Sequence, residues 1–560
     1  MIEIVKNSKK AQWIIALSLV LALSVSAIAF DWFAWAMPNS ETAAEVPEAE
    51  NTDEIAAIEE LSVPMAVPEK VITEKESYPQ PDLLASLDEE KEEVPEEPET
   101  PPMPEGEENG YLTVGLYSSC SSVPNGAVAS IRVSSEYGFI LAKKVDRGWM
   151  PDTDLRDYML LDVKVEDGSV NVYDVQSNLV ITGLCSDDVL MSAAEEPDDR
   201  IVTIGDYNYR DGVMFRAESS SRMAVINFVE LEHYLWGSIN IEMTYNNPAE
   251  ALKAQSVASR SYAVSHYGYH SKYGFDLCTT SNCQSYKGCR AEKEQTVQAC
   301  RDTEGIVMSY KGDVACGYYF ANSGGYTMNS EDVWGGKIGY LRSVQDGFAD
   351  FTPWNFTVSF EYIQNKLAES GTPVGELQSV EVSAQYANGA IRTMTFTGTE
   401  GSVSLPGSKL ANFLYADDSH YAKSKIYCIG NSDYPAIDFG SGSVSKKVYT
   451  IGGEISMDEF YVMTDVGPVQ VSEPKGLYVT KANSIVPLFS STETIGTTYP
   501  LLHNEVVTDG TVYVSGFGFG HGVGMSQLSA IKMAKSGKDW EDILEYFYTD
   551  IHFVNYKSLL

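Results

Sequence analysis

The stretch that decides the fold is Asn240-Ile-Glu-Met-Thr-Tyr-Asn-Asn-Pro-Ala-Glu-Ala-Leu-Lys-Ala-Gln-Ser-Val-Ala-Ser-Arg-Ser-Tyr-Ala263. It sets one carboxylate, Glu242, just before a segment with clear helix-start signals. Asn247 can cap the helix, Pro248 suits the first helical position, and Glu250 completes a capping box. The pattern therefore predicts a helix over about 248–268, with Glu242 just before it.

The predicted helix has an apolar side and a polar side that carries two cations. The apolar positions with helical spacing predict a buried side, formed by Leu252, Ala258, Tyr262 and Ala263. Lys253, Ser256 and Arg260 share another side. A lone acid facing two cations suits a polar, oxygen-rich substrate. The alternative is a solvated charged face, with Glu242 acting only as a partner of the helix dipole.

Four blocks of the chain, in this order, resemble the stage II sporulation protein D family, which also includes the amidase enhancers of bacterial cell-wall lysis. The first block is Tyr209-Arg-Asp-Gly with Val225-Ile-Asn-Phe-Val-Glu-Leu-Glu-His-Tyr-Leu-Trp-Gly237, and the second is the Glu-Met and Ala-Leu-Lys-Ala-Gln segment quoted above. The third is Ala321-Asn-Ser-Gly-Gly-Tyr-Thr-Met-Asn-Ser-Glu-Asp-Val-Trp334 with Gly339-Tyr-Leu-Arg-Ser-Val344, and the fourth is Gly516-Phe-Gly-Phe-Gly-His-Gly-Val-Gly-Met-Ser-Gln527. The resemblance covers about residues 110–430 and 510–556.

The resemblance implies a lytic transglycosylase that cleaves peptidoglycan glycan strands between N-acetylmuramic acid and N-acetylglucosamine. Glu242 would protonate the glycosidic oxygen, and its carboxylate would then take a proton from the muramoyl 6-hydroxyl, which closes a 1,6-anhydro ring. An apolar site would raise the pKa of this acid. Lys253 and Arg260 are assigned to the lactyl carboxylate and the sugar oxygens. No cofactor is required.

The glycine run around His521 does not match a phosphate loop, because neither the Gly-x-Gly-x-x-Gly register nor a following Gly-Lys-Ser/Thr is present. Alternating glycines indicate a backbone that passes close to a neighbour or adopts positive φ. The resemblance implies that His521 and Gln527 line the same groove as the acid. We also predict substrate contacts for Ser323 and Glu331.

Two other functions stay open. Some relatives stimulate an N-acetylmuramoyl-L-alanine amidase, so the chain is alternatively a non-catalytic wall-binding enhancer with such an amidase as its partner. A structural wall protein with a decayed site is the third option. The acidic composition, with a formal net charge of −40, argues against nucleic acid as a partner.

The first 108 residues divide into two segments. Residues 1–40 carry Lys6, Lys9 and Lys10 before an uncharged apolar run over 13–30, which predicts a membrane anchor, with a cleaved signal peptide as the alternative. We therefore expect a single-pass protein of the cell membrane with its bulk extracytoplasmic. Residues 41–108 hold 23 Asp and Glu against three Lys, with ten prolines, and predict a disordered acidic linker.

The remaining chain predicts an α+β fold, in which mixed strands and helices surround a deep groove. Short alternating runs separated by turn residues indicate strands, and the helical segments follow no βαβ rhythm. We divide this part into a family-like domain over 109–430, a β-rich insertion over 431–510 and the C-terminal groove segment over 511–560. The insertion is either a wall-binding module or a decorated loop region.

Five of the eight cysteines fall between 278 and 316. The segment from Cys278 to Cys283 resembles a family segment that binds zinc through two Cys with His partners. Where those members have His before the second Cys, this chain has Asn282. We therefore expect a structural zinc site, a disulfide or free thiols here, with His266, His270 or Cys289 as substitute ligands.

Overall fold

The computed structural model describes residues 106–107, 110–417, 420–431 and 503–559, together with the backbone pairing of short strands between 437 and 502. The predicted acidic linker lies almost wholly outside these residues. None of the described helices is both long enough and apolar enough to cross a membrane. This finding contradicts the predicted single-pass membrane protein, and the predicted anchor itself, residues 13–30, lies outside the described residues.

The N-terminal half of the described chain is almost entirely strands, as the alternating runs predict. These are β1 (Tyr111–Tyr117), β2 (Ser130–Ser134), β3 (Phe139–Val145), β4 (Gly148–Leu155), β5 (Leu160–Glu166), β6 (Ser169–Tyr173), β7 (Leu179–Ile181), β8 (Asp188–Ser192), β9 (Ile201–Ile204), β10 (Tyr207–Arg210), β11 (Gly212–Ala217), β12 (Met223–Glu230) and β13 (Leu277–Cys278).

Two sheets share one core. The first has the order β13-β1-β12-β11-β8-β3-β4 and the second has the order β10-β9-β2-β5-β6-β7. Buried side chains of both sheets belong to the same cluster, including Trp149, Val163 and Phe228. The short strand β13 pairs parallel to β1, with Cys278 opposite Gly115. This pairing fixes the cysteine segment against the edge of the first sheet.

A helical block follows β12. It consists of α1 (Leu231–Trp236), α2 (Ile239–Glu242), α3 (Ala249–Ser265) and α4 (Glu294–Asp302). Almost every residue of α3 from Ala251 to Val264 is buried, so the helix runs through the core instead of lying on the surface. Its predicted buried side is confirmed, but Ser256 and Arg260 are buried as well.

The predicted cap of α3 is wrong. The helix begins at Ala249, Pro248 occupies the capping position, and no side chain bonds to the first turn there. Asn247 donates its side-chain amide to Thr244, at 3.0 Å from the carbonyl oxygen. Glu250 accepts a hydrogen bond from the main-chain N–H of Trp540, at the start of another helix. A local contact at Asn247 and a tertiary contact at Glu250 therefore replace the predicted capping box.

The C-terminal half mixes both kinds of element. It contains β14 (Ile306–Tyr310), β15 (Asp313–Val314), β16 (Tyr319–Phe320), α5 (Ser330–Trp334), β17 (Trp354–Ser359), α6 (Phe360–Glu369), β18 (Leu377–Gln385), β19 (Ile391–Gly398), β20 (Gly401–Pro406), β21 (Tyr415–Asp417), β22 (His420–Tyr421) and β23 (Ile426–Gly430). The predicted mixture of strands and helices is thus confirmed.

Among residues 431–510 the structure describes eight short strands. They are β24 (Ile437–Asp438), β25 (Lys447–Thr450), β26 (Gly453–Ser456), β27 (Tyr461–Thr464), β28 (Gly467–Gln470), β29 (Tyr478–Lys481), β30 (Ser484–Pro487) and β31 (Leu501–Leu502). The strands pair as β25 with β26, β27 with β28 and β29 with β30, all antiparallel. β24 pairs with β31, which joins the two ends of the segment.

The chain then returns to the main core. It forms β32 (Thr511–Phe517), β33 (Met525–Ser526), α7 (Gln527–Lys535), α8 (Trp540–Phe547) and β34 (His552–Asn555). β32 lies between β17 and β23 in one sheet, so the strands on either side of residues 431–510 are direct neighbours. β33 pairs parallel to β16, which brings the glycine run beside Tyr319.

Candidate active site around Glu242

Glu242 is the last residue of α2, where the chain turns from the helical block into the loop before α3. Its side chain is half-buried, and Oε1 accepts the main-chain N–H of Ser285 at 2.8 Å. Burial raises the pKa of Glu242 above its ordinary value, and hydrogen bonds from Ser285 and Tyr319 offset part of that rise. The group is therefore a carboxyl whose protonated form is favoured more than in a solvated glutamate.

Tyr319, in β16, supplies the second contact to this carboxyl. Its hydroxyl oxygen accepts a hydrogen bond from Nε2 of Gln284 at 3.1 Å. The amide of Gln284 is fixed in turn because its Oε1 accepts from the hydroxyl of Tyr234 at 3.1 Å. Burial, and next the charge of Glu242, raise the pKa of Tyr319 well above its ordinary value. The tyrosine therefore keeps its proton and can donate it to the carboxylate.

His521 contacts the main chain of Tyr319. Its Nδ1 is 3.1 Å from the main-chain N–H of Val523, and its Nε2 is 2.9 Å from the main-chain oxygen of Tyr319. Burial lowers the pKa of His521 to about 4, so the ring is neutral at pH 7. The neutral tautomer with the proton on Nε2 satisfies both contacts. His521 thus holds the backbone of Tyr319 and has both ring nitrogens engaged.

Gln527, the first residue of α7, is the other member of the fourth block that reaches the acid. Its Nε2 donates to the main-chain oxygen of Glu242 at 3.0 Å and to Oε1 of Gln255 at 3.2 Å. The contact is to the backbone of Glu242, not to its carboxyl. Gln527 therefore fixes the position of the residue that carries the acid.

The two predicted cations are not brought to the acid. Lys253 is half-buried and pairs with Glu250 at 3.0 Å and Asp302 at 3.2 Å. Arg260 is fully buried, and its guanidinium forms a bidentate pair with Glu232 at 2.7 and 2.6 Å. Its remaining donors reach main-chain oxygens. Both side chains hold ion pairs within the chain, and their predicted substrate contacts stay predictions.

Ser323 and Glu331 also have structural partners. Ser323 is buried and donates its hydroxyl to Asp346 at 2.6 Å. Glu331 forms a bidentate pair with Arg342 at 2.7 and 2.6 Å, and this pair lowers the pKa of Glu331 to about 2. Neither residue has a hydrogen bond to the groups that surround Glu242 in the described structure.

The cysteine segment forms a compact group of potential metal ligands. Ligand atoms of His270, Cys278 and Cys283 all lie within 4.8 Å of one another, and the three residues are buried. Nε2 of His270 is 3.3 Å from Sγ of Cys283. Two thiols and an imidazole are donors that suit tetrahedral zinc. His266 instead stacks on Tyr262, with ring centroids 3.9 Å apart.

The side chain of Asn282 lies next to this group. Its side-chain nitrogen lies 3.4 Å from Nε2 of His270, 3.7 Å from Sγ of Cys278 and 3.9 Å from Sγ of Cys283. All eight cysteines are free in the structure. The three-residue group with Asn282 beside it is thus the arrangement into which a metal would fit.

Comparison with known proteins supports the resemblance seen in the motifs. A family model described as stage II sporulation protein matches residues 219–310, which include Glu242, the whole of α3 and both cysteines of the candidate metal group. The stage II sporulation protein D of Bacillus subtilis is 27% identical over 336 residues, 57% of this chain and 73% of that protein. Over these residues the chain is similar to the stage II sporulation protein D family.

For two other relatives, the alignment with this chain covers different shares of the relative's own length. The amidase enhancer of Bacillus subtilis is 27% identical over 325 residues, which are 58% of this chain but only 40% of that protein. An uncharacterized protein of Brachyspira hyodysenteriae is 26% identical over 360 residues, 64% of this chain and 75% of that relative. The relatives of this chain therefore carry both names that its motifs suggest, stage II sporulation protein D and amidase enhancer.

Sequence reasoning missed four residues around the acid. They are Gln255, Gln284, Ser285 and Tyr319. Tyr319 lies two positions before the third family block, in a run interpreted only as a strand. Ser285 contributes its main-chain N–H to Glu242, and a backbone contact leaves no trace in residue type.

Proposed function

We propose that this family member is a lytic transglycosylase that cleaves the bond between N-acetylmuramic acid and N-acetylglucosamine in peptidoglycan, in cell-wall remodelling linked to sporulation. The observation that carries the proposal is the state of Glu242. It is a half-buried carboxyl with a raised pKa, held by Ser285 and Tyr319. A general acid for glycoside cleavage near neutral pH needs this combination of protonation and fixed orientation.

The reaction uses one carboxyl twice. Glu242 gives its proton to the glycosidic oxygen, the bond from that oxygen to C1 of the muramoyl ring breaks, and the N-acetylglucosamine end leaves as an alcohol. The muramoyl 6-hydroxyl then attacks C1 and forms the 1,6-anhydro bridge, while its proton passes to the carboxylate of Glu242. The acid is regenerated and no water is consumed. Glycosidases that hydrolyse the bond employ a pair of carboxyls instead.

The contacts of Glu242 fit both halves of this cycle. The N–H of Ser285 and the hydroxyl of Tyr319 are donors that stabilise the carboxylate after it has lost its proton. Burial favours the protonated acid before that step. Among the described residues, no other carboxylate contributes to the pKa of Glu242, which is in keeping with a mechanism that uses one acid.

His521 and Gln527 are positioning residues in this proposal. His521 holds the main chain of Tyr319, and Gln527 holds the main chain of Glu242. The glycan strand would lie in a groove beside these residues. In that arrangement the fourth block positions Glu242 through two hydrogen bonds to main-chain oxygens, one from His521 to Tyr319 and one from Gln527 to Glu242. His521 would not contact the substrate directly.

We also propose a structural zinc ion held by His270, Cys278 and Cys283. The support is the donor set, since two thiols and an imidazole lie within 4.8 Å of one another and are buried. When bound, the ion would tie β13 to the segment before it. Catalysis would require no cofactor.

The second candidate function is a non-catalytic wall-binding enhancer of a cell-wall amidase. The relative named amidase enhancer favours it. In that case Glu242 would hold the fold of a glycan-binding surface, and the partner amidase would cleave the wall.

Product analysis separates the two. Purified chain is incubated with glycan strands whose stem peptides have been removed, and the released fragments are weighed by mass spectrometry. The proposed function predicts fragments that end in 1,6-anhydro-N-acetylmuramic acid. Fragments that end in a reducing sugar would mean hydrolysis, and intact strands together with stimulation of an added amidase would favour the enhancer.

A further inference from the structure

A cleft of about 600 Å³ is lined by residues that include Ala321, Asp350, Lys423, Phe519 and Leu528. Leu528 directly follows Gln527, whose amide holds the backbone of Glu242. The main-chain N–H of Leu528 donates to the main-chain oxygen of Ala321 at 3.0 Å, and Ala321 directly follows the strand that carries Tyr319. The wall of the cleft is therefore built on the same two elements as the candidate active site.

Phe519 is exposed to solvent at this cleft, and its main chain is hydrogen-bonded on both sides. Its side chain is 48% exposed, although a phenyl ring gains from burial. Gly518 and Gly520 on either side have φ of +83° and +107°. A Cβ at Gly518 would lie 2.9 Å from the main-chain oxygen of Asn322. The main chain of Phe519 pairs with Asn322 in both directions, at 2.8 and 3.1 Å. The residues on both sides of the aromatic ring thus have the left-handed backbone conformation that favours glycine.

Lys423 places a cation at the same cleft. Its main-chain oxygen accepts the N–H of Gly520 at 2.9 Å, which fixes it next to Phe519. No carboxylate of the described residues forms an ion pair with its ammonium group. Asp350, the acid of the cleft, is 3.5 Å from Lys532 and accepts hydrogen bonds from Thr352. In a chain with a net charge of −40, this unpaired cation favours a local anionic ligand.

We propose that this cleft is a saccharide subsite for an anionic muramoyl residue, in which Phe519 stacks on the sugar ring and Lys423 pairs with the lactyl carboxylate. The apolar face of a pyranose ring packs against an exposed aromatic ring, and the carboxylate is free only where the stem peptide has been removed. The subsite rests on the proposed function, because it takes the glycan strand as ligand. In this proposal Lys423 takes the carboxylate contact that the sequence assigns to Lys253 and Arg260, whose side chains hold ion pairs within the chain.

Binding measurements test this subsite without turnover. The full chain carrying Glu242→Gln is titrated by calorimetry with a denuded glycan tetrasaccharide, either with free lactyl carboxylates or with the same carboxylates converted to methyl amides. We expect the carboxylate form to bind about fivefold more tightly, as for a half-exposed ion pair. Lys423→Met should abolish this preference and leave the affinity for the amide form unchanged. Phe519→Ala should weaken both forms about tenfold.

Matched controls isolate the cleft. Lys144→Met removes another half-buried lysine, and Tyr137→Ala removes another exposed aromatic ring, 47% accessible. Both should leave the two affinities unchanged. If Lys423→Met lowers the melting temperature, Lys423→Gln replaces it. The subsite is wrong if the parent has no preference for the carboxylate form, if Lys423→Met retains that preference, or if Phe519→Ala binds as tightly as the parent.

The outcome is separable from the proposed function. If the affinities change as stated while the wild-type chain releases no 1,6-anhydro product, the transglycosylase proposal fails and the subsite stands. If anhydro product forms while Phe519→Ala and Lys423→Met change neither affinity nor preference, the subsite fails and the proposed function stands.

Discussion

At the scale of single residues, the balance around Glu242 decides what it can do. Burial pushes its pKa upward, whereas the donors Ser285 and Tyr319 pull it downward. The first effect favours the protonated acid, and the second stabilises the carboxylate once it forms. A carboxyl used alternately as acid and base needs both, because a pKa far from the working pH in either direction slows one half of the cycle.

Replacing Tyr319 by Phe should shift the titration of Glu242 to higher pH. The hydrogen bond from the tyrosine lowers the pKa of Glu242, so its loss raises that pKa. Since the protonated form is the acid, the alkaline limb of the profile of kcat/KM against pH should move to higher pH. Carboxyl ¹³C NMR titration of Glu242 reports the same shift independently of activity. Tyr137→Phe is the control, and an unchanged or lower pKa in Tyr319→Phe would contradict the assignment.

Arg260 and Lys253 offer a second test at the residue scale, because they lie on the same helix with different burial. Arg260→Ala leaves Glu232 as an unpaired buried charge and should lower the free energy of unfolding by about 3–5 kcal/mol. Lys253→Ala loses a partly exposed pair and should cost about 0–1 kcal/mol. Urea denaturation measures both. Equal small costs would mean that the buried pair with Glu232 is not formed.

At the scale of elements, local signals predict helices well where the local sequence alone determines their ends. Asp539, a residue type that caps helices, directly precedes α8, and its side chain accepts the N–H of Asp542 at 2.8 Å. The start of α3 differs, because Glu250 is drawn away to the N-terminus of α8. Competition from a distant partner cannot be read from the spacing of residues.

The helix face that carries Arg260 is a second case in which a distant partner is not predictable from residue spacing. A charged side of a helix normally indicates exposure to solvent, but here Glu232 from α1 pairs with Arg260 inside the core.

The candidate site is also predictable only in part from the sequence. Glu242, His521 and Gln527 come together, whereas the role of Tyr319 depends on β16 pairing with β33, which lie far apart in the sequence.

The glycine run gives a prediction at the element scale. Gly524 has φ of +81°, and a Cβ there would lie 2.0 Å from the main-chain oxygen of Tyr318. Gly537 has a similar φ of +92° but no atom within 4 Å of a Cβ. Gly537→Ala should therefore cost only the left-handed backbone penalty, about 1–2 kcal/mol. Gly524→Ala should lower the free energy of unfolding clearly more, because the main chain at Tyr318 must move to admit the Cβ. Urea denaturation measures both variants. Equal costs would mean that this close approach does not constrain the run.

At the scale of the whole molecule, the candidate metal group joins segments that are distant in sequence. Cys278 lies in β13 on the edge of the first sheet, and His270 lies in the segment after α3. Nδ1 of His270 is also 3.8 Å from Sγ of Cys120, which follows β1. A bound ion would thus connect the sheet to the helical block, and metal binding would be coupled to stability.

Metal analysis of the purified chain should find about one equivalent of zinc. Cys278→Ser and Cys283→Ser should remove the metal and lower the melting temperature, because a ligand that binds only the folded state stabilises it. Chelation of the wild-type protein should lower it in the same way. Cys185→Ser, at an exposed cysteine, is the control. Non-reducing peptide mapping that finds Cys278 joined to Cys283 would rule out zinc at this site.

The central claim is that Glu242 is the acid of a reaction that ends in ring closure. Glu242→Gln preserves the shape of the side chain and leaves an oxygen for the N–H of Ser285, but it removes the transferable proton. A positioned general acid typically contributes about 10²–10⁴ in rate. The direct measurement is the rate of 1,6-anhydro product release from denuded glycan by wild type and by Glu242→Gln, beside calorimetric binding of the same glycan. The account predicts a loss of about 10² or more in rate with binding retained; equal rates, or products of wild type that carry ¹⁸O from labelled water, would contradict it.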